Sequence, residues 1–177
     1  DSVRVYVSNL ETTNASNSGV LNNNDSYVVV GADNGEVCAN ANSQTEMPAG
    51  CFLYSRLERE WKLTKTNFDQ SFNIDLKLNG CANIGMVALA DLRLLVDDDG
   101  DFSNGGTSCY SNGDGTGIVI SYNSPVVTVS NLSNTHFTNN VTRFFTIGSV
   151  STSTLLPVNE ISLIAECHTN YSNKIKW

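Results

Sequence analysis

Long apolar runs and positive charge are both scarce in this sequence. No apolar run reaches the roughly 18 residues that a membrane-spanning helix needs, so we expect no membrane insertion. The opening residues DSVRVYV do not form a basic segment followed by an apolar one, and we expect a mature form or a fragment. Ten Lys and Arg against 18 Asp and Glu give a formal net charge of −8, which argues against nucleic acid as a partner because its backbone requires a cationic face.

Histidine is also scarce, and none of the five cysteines forms a C-x-x-C pair, so we expect no structural zinc site. Neither His136 nor His168 has a neighbouring Ser, Cys or Asp arrangement typical of a catalytic triad, and we expect both at the surface. Glu58 and Glu60 alternate beside two arginines, and a charged solvent face explains this pattern better than glycosidase chemistry does. The sequence therefore predicts that the protein is not an enzyme.

The cysteines favour disulfides, which form in oxidising compartments outside the cytosol. Short loop closure favours a bond between Cys38 and Cys51 around a polar loop, and a second between Cys81 and Cys109 across an acidic segment. Cys167 is then left over. Two alternatives stay open for it, a partner outside this chain or a free thiol buried as a small hydrophobic residue.

Short β-branched runs are present along most of the chain, and clusters of Asn, Ser, Gly and Asp separate them. The runs are SYVVVG, FNIDLKL, RLLVD, GIVISY, SPVVTVS, RFFTIGS and EISLIAE, preceded by the alternating segment that opens the chain. This pattern predicts an all-β fold, an antiparallel β-sandwich of two packed sheets with about eight to ten strands in total. We assign residues 1–155 to the sandwich and residues 156–177 to a linker and terminal strand, either the start of a following domain or an inter-subunit strand.

One stretch, GMVALADLRLLV at residues 85–96, is compatible with two structures. Alanine and leucine favour helix, whereas the length and the β-branched neighbours admit a strand, or a brief helical turn followed by a strand. We favour the strand throughout. The apolar residues expected in the core are Trp61, Leu63, Val87, Leu89, Leu94 and Val96.

The segment LLVDDDGDFSNGG at residues 94–106 places four aspartates directly behind an apolar run. Asp97, Asp99 and Asp101 alternate, so their carboxylates can converge, and Asn104 can add an oxygen ligand. Calcium accepts six to eight such ligands at flexible geometry, which makes it the expected cation if the segment binds one. The alternative is an acidic, solvated turn stabilised by bonds from the aspartates to the backbone, and the sequence leaves both open.

Five segments in order resemble a β-rich module of large secreted and cell-surface proteins of Bacteroidota. In that module an R-x-x-R-x-W strand precedes an L-x-x-D-x-D-G-D-F turn, and a linker of the LPVELLSF type follows. The matching segments are SYVVVGADNG (26–35), SRLEREWKLTKTN (55–67), LRLLVDDDGDFS (92–103), FFTIGS (144–149) and LLPVNEISLIAE…NKIKW (155–177). Asn159 and Glu160 stand where the linker usually has Glu and Leu. The resemblance implies an extracellular location and export by the type IX secretion route, in proteins that serve as adhesins, spacers or filaments.

Two functions are compatible with these observations. The first is an extracellular structural or adhesive module, a stalk or filament subunit whose terminal strands, such as residues 2–7 and 159–166, pair with the open sheet edge of another copy or a neighbouring domain. The alternative is a calcium-assisted carbohydrate-binding, lectin-like domain that binds surface glycans. A strand packed against another chain would support the first, and a groove lined by aromatic and Asn residues beside the aspartates would support the second.

Overall fold

A computed structural model describes residues 2–35, 37, 45–78 and 88–151, together with the backbone of two later strands. Its strands are β1 (Ser2–Tyr6), β2 (Tyr27–Ala32), β3 (Ser55–Arg56), β4 (Trp61–Thr66), β5 (Phe72–Lys77), β6 (Leu92–Asp97), β7 (Ser108–Tyr110), β8 (Val119–Asn123), β9 (Val126–Leu132), β10 (Thr142–Ser149), β11 (Ile164–His168) and β12 (Ser172–Lys176). Two short 3-10 turns cover Asn14–Ser16 and Leu89–Asp91.

Ten of these strands form the two antiparallel sheets of the predicted sandwich. The four-stranded sheet has the order β1-β5-β9-β8, and the six-stranded sheet has the order β2-β4-β10-β6-β7 with β3 also paired to β10. The prediction of an all-β sandwich is therefore confirmed. Strands β11 and β12 pair with each other as a separate antiparallel hairpin.

The core lies between the two sheets because alternate residues of each strand are apolar. In β4, Trp61 and Leu63 are buried while the intervening Lys62 is exposed, which is the period of two that a half-buried strand requires. Phe145 of β10 stacks on Trp61 at 5.7 Å and meets Phe137 edge-on at 5.5 Å. These aromatic pairs connect the middle of the six-stranded sheet to the residues that follow β9.

Four of the six residues expected in the core are buried, namely Trp61, Leu63, Leu94 and Val96. The prediction was wrong for Leu89, which is 38% exposed because it lies in a 3-10 turn at the surface. Val87 lies outside the described residues. The stretch that admitted two structures is therefore a helical turn followed by a strand over its described part, since Leu89–Asp91 is a 3-10 turn and β6 begins at Leu92.

The first strand of the chain is part of the sandwich itself. β1 pairs with β5 from Ser2 opposite Lys77 to Tyr6 opposite Asn73, and Arg4 forms a 2.9 Å ion pair with Asp75. Residues 2–6 therefore already have a partner strand within the domain, because β1 occupies the side of β5 opposite β9. Of the linker and terminal strand expected at 156–177, the structure describes only the backbone of β11 and β12. Among the residues that the structure describes, no helix is both long and apolar enough to cross a membrane.

Candidate functional site

The acidic segment begins with a buried carboxylate at the end of β6. Asp97 is fully buried, and its Oδ2 accepts hydrogen bonds from the backbone N–H groups of Asp99 (3.0 Å) and Gly100 (2.8 Å). Its Oδ1 accepts a third bond from the Thr107 hydroxyl at 2.7 Å. Three donors replace the water that a buried carboxylate loses, so Asp97 closes the loop at both ends.

The later side chains of the segment bond within the loop as well. Asp99 Oδ1 accepts from the backbone N–H of Asp101 at 2.9 Å, and its Oδ2 accepts from the Asn104 amide at 3.0 Å. These bonds, the one from the Asp101 backbone first, lower the pKa of the Asp99 carboxyl. Asp101 accepts from both the backbone N–H and the hydroxyl of Ser103. Each of the three carboxylates therefore stabilises the turn that follows it.

The structure places the predicted calcium ligands in one loop but at different depths. Asp97 is buried, whereas Asp99 and Asn104 are exposed and Asp101 is half-buried. Across the described parts of the chain, no group of three or more His, Cys, Asp and Glu side chains is arranged to hold a metal ion. Calcium binding by these four residues stays a prediction.

Phe102 anchors the acidic segment to the outer face of the six-stranded sheet. Its side chain is fully buried outside the main core, and the guanidinium of Arg56 lies 5.1 Å from its ring centroid. Arg56 is buried too, and it pairs with Glu46 at 2.8 Å and with Glu60 at 3.0 Å. The charged solvent face expected for RLERE was therefore wrong for Arg56, which joins three segments of the chain.

Glu60 is the titratable group most perturbed by this arrangement. The pKa of its carboxyl is raised to about 7, because burial and the carboxylates of Glu46 and Asp33 raise it more than the Arg56 guanidinium lowers it. Two carboxylates thus share one guanidinium beside a third carboxylate. The cluster has more negative than positive charge when all of its members are ionised.

One disulfide lies on the same face and corrects the predicted pairing. Cys51 bonds to Cys109, with their Cα atoms 5.9 Å apart and a sequence separation of 58. Bonds from Cys51 to Cys38 and from Cys109 to Cys81 are therefore excluded, and Cys38 and Cys81 lie outside the described residues. The short-loop argument failed because β7 places Cys109 opposite Leu95 of β6, next to the segment before β3.

That segment crosses the sheet at a glycine. A Cβ atom on Gly148 of β10 would lie 3.0 Å from the side chain of Leu53, so Leu53 packs closely against the backbone of this glycine. Leu53 and Cys51 thereby cover the row formed by Cys109, Leu95 and Thr146, which lie opposite one another on β7, β6 and β10. The outer face of this sheet carries a small second core at one end.

Two polar side chains, His136 and Lys65, are buried. His136 was expected at the surface, and the sequence analysis did not single out Lys65. His136 is 3% exposed rather than at the surface, with its Nδ1 accepting from the Ser133 backbone N–H at 3.1 Å and its ring 4.8 Å from Tyr110. Burial lowers the pKa of His136, while the Asp114 carboxylate raises it. Lys65 is fully buried. It lies on the same face of β4 as Trp61 and Leu63, and this position in the alternation is the only feature of the sequence that could have predicted its burial.

Strand β2 presents an open edge to solvent. It pairs with β4 along Tyr27 to Ala32, and among the described residues no other strand pairs with it. Val28 and Val30 pack on the core, whereas Val29 on the opposite face is 59% exposed. A hollow of about 210 Å³ lies beside this edge and is lined by Gly31, Ala32, Asp33, Glu60, Lys62 and Phe144.

Comparison with known proteins places the sandwich in a family. Residues 1–134 match the model of the family described as "Domain of unknown function (DUF8202)". The chain belongs to this family. The match ends before β10, although β10 pairs with β3, β4 and β6 and completes the six-stranded sheet of this DUF8202 domain. Searches with the chain found no match among curated proteins or among solved structures.

Proposed function

We propose that this DUF8202 domain is an extracellular structural and adhesive module of a bacterial cell surface, a stalk or filament subunit that pairs strands with copies of itself or with neighbouring domains. The sandwich fold, the disulfide and the net charge of −8 fit a protein that works in an oxidising exterior. The ordered motifs that resemble secreted Bacteroidota proteins support export by the type IX route. The proposal assigns no enzymatic activity to the chain.

The observation that carries this proposal is the free edge of β2. Its sequence YVVVGA contains no charge and no proline, the two features that usually protect a sheet edge from adding another strand. Backbone N–H and C=O groups along such an edge are available for a strand from another chain, and exposed side chains beside them add apolar contact. Tyr27 and Val29, which are 52% and 59% exposed, supply that contact.

Charging the edge of β2 tests the proposal. We expect Val29→Lys to abolish self-association in sedimentation or multi-angle light scattering, because an added strand would bury the new charge. The melting temperature should change little, since Val29 is 59% exposed and contributes little to the core.

Val119→Lys is the matched control, because Val119 is a 49% exposed valine in β8, one of the two edge strands of the other sheet. This variant should associate as the wild type does. If Val29→Lys assembles unchanged, or if Val119→Lys alone prevents assembly, pairing at β2 is excluded.

The lectin-like alternative has less support. The carboxylates it needs for calcium already accept hydrogen bonds from N–H and O–H groups of their own loop. If the wild type binds glycans and loses this binding on chelation, the lectin-like function would be favoured over the structural one.

A further inference from the structure

A lysine, an asparagine and an aspartate meet at one end of the core. Lys65 lies on the inward face of β4 and is fully buried, with its Nζ 5.9 Å from the ring centroid of Phe68 and 5.8 Å from that of Phe72. The Nζ donates to the Phe68 carbonyl at 2.9 Å and to Oδ1 of Asn134 at 2.5 Å. Because Oδ1 is bonded to Cγ, the amine lies next to the carboxamide carbon of Asn134.

Asp69 holds the other end of that carboxamide. Its Oδ1 accepts a hydrogen bond from Nδ2 of Asn134 at 3.2 Å and another from Nδ2 of Asn139 at 3.2 Å. Asn139 is itself fixed, since its Oδ1 accepts from the backbone N–H of Phe68 at 3.1 Å. The amine and the carboxylate therefore approach the two polar ends of one amide group, and both positions are set by neighbouring bonds.

The surroundings shift the protonation equilibrium of Lys65 towards the neutral amine, which is the nucleophilic form of lysine. Burial among aromatic rings lowers the pKa of Lys65, while the Asp69 carboxylate raises it. Both hydrogen-bond acceptors of the Nζ are uncharged oxygens, which stabilise an ammonium less than a carboxylate would. Desolvation activates lysine nucleophiles in enzymes, and here the desolvated amine is hydrogen-bonded to the carbonyl group that it would attack.

We propose that Lys65 and Asn134 form an intramolecular isopeptide bond, with Asp69 transferring the proton. The Nζ lone pair attacks Cγ of Asn134, and the C=O electron pair moves to Oδ1 to give a tetrahedral intermediate. Asp69 accepts a proton from the Nζ and delivers it to Nδ2. The bond between Cγ and Nδ2 then breaks, the C=O bond reforms and ammonia leaves, so the amine and the amide become a secondary amide plus ammonia without any oxidant or co-reactant.

The position of this bond in the fold gives it a consequence. Lys65 belongs to β4 of the six-stranded sheet, and Asn134 follows β9 of the four-stranded sheet, 69 residues further along the chain. The bond would join the two layers covalently at the end where the aromatic core closes. Asn134 and Asp69 are exposed, so the ammonia can leave to solvent. This inference does not depend on strand pairing at β2.

Intact-mass spectrometry of the reduced and alkylated protein tests the proposal. We expect the wild type to weigh about 17 Da less than the mass calculated from its sequence with every cysteine alkylated, because the lysine amine displaces the amide nitrogen as ammonia. Peptide mapping should recover a branched peptide that contains both Lys65 and Asn134. A wild type with its full sequence mass overturns the proposal.

Three variants assign the chemistry to its residues. Lys65→Met should restore the full mass, and Asp69→Asn should restore it without loss of the fold because Asp69 is exposed. Lys62→Met is the matched control, an exposed lysine of the same strand, and should retain the deficit. A deficit that persists in Lys65→Met overturns the bond, and one that persists in Asp69→Asn overturns the role of Asp69. The Asp69→Asn result remains decisive even if Lys65→Met does not fold.

Discussion

At the scale of single residues, the buried charged groups are the part of this molecule that sequence patterns predicted least well. Arg56 and Lys65 occupy positions in alternating segments that look half-exposed, yet both are buried because distant segments supply their partners. Glu46 reaches Arg56 from the loop before β3, and Asn134 reaches Lys65 from the turn after β9. Periodicity reports which face a residue lies on, but not whether a loop covers that face.

The buried carboxylate of Asp97 is expected to stabilise the domain through its three donors. Replacing it by Asn in Asp97→Asn places an amide against N–H groups and should lower the free energy of unfolding by about 1–3 kcal/mol. Thermal melts in chelator measure this effect without any contribution from calcium. Asp99→Asn is the control, since Asp99 is exposed and should change the melting temperature much less.

The same melts test the calcium prediction. If Asp97, Asp99, Asp101 and Asn104 bind calcium, the wild-type melting temperature should rise with calcium concentration and respond much less to magnesium, which requires a tighter octahedral site. If chelation leaves the wild-type melting temperature unchanged, the segment does not bind calcium and is a turn closed by its own hydrogen bonds.

Glu60 makes the stability of the domain depend on pH. Its pKa in the folded state is about 7 against an ordinary value of 4.5, so the folded state holds this proton more tightly than the unfolded state does. The resulting stabilisation is fully present below pH 4.5 and is lost as the pH rises through about 7. Glu60→Gln should remove this loss, which denaturant titrations across the interval can measure. Equal pH dependence in the variant and the wild type would contradict the assignment.

At the scale of elements, the strands follow directly from residue pattern, but their connections do not. Alternating valines in β1 and β-branched residues in β8, β9 and β10 are sufficient to place those strands. The disulfide was not predictable, because a bond between Cys51 and Cys109 depends on β7 pairing with β6 rather than on loop length. The sequence predicts that β2 is a strand, but it does not predict that β2 lies at the end of its sheet.

The disulfide is expected to stabilise the second core on the outer face. Cys51→Ser should cost about 2–4 kcal/mol, because the bond closes a loop of 58 residues in the unfolded chain. Urea unfolding of the unreduced protein measures the loss. The double variant Cys51→Ser, Cys109→Ser should be no less stable than either single variant. An additive loss in the double variant would show that the two residues act separately.

At the scale of the whole molecule, the six-stranded sheet has an outer face reinforced by a disulfide and by ion pairs, and it ends on one side at β2. Segments 45–54 and 98–106 cover the outer face of the six-stranded sheet near β6 and β7, through Arg56, Phe102 and the disulfide. At the opposite end of the same sheet, no strand among the described residues pairs with the outer side of β2. This asymmetry supports the proposal that a strand of another chain is added at β2.

Hydrogen exchange of the β2 amides at increasing protein concentration tests the central claim most directly. Pairing with another copy would occupy backbone N–H groups of residues 27–32, so their protection should rise with concentration while that of the amides of β8 stays constant. Protection of β2 that is independent of concentration, in a preparation that nevertheless associates, would contradict the account.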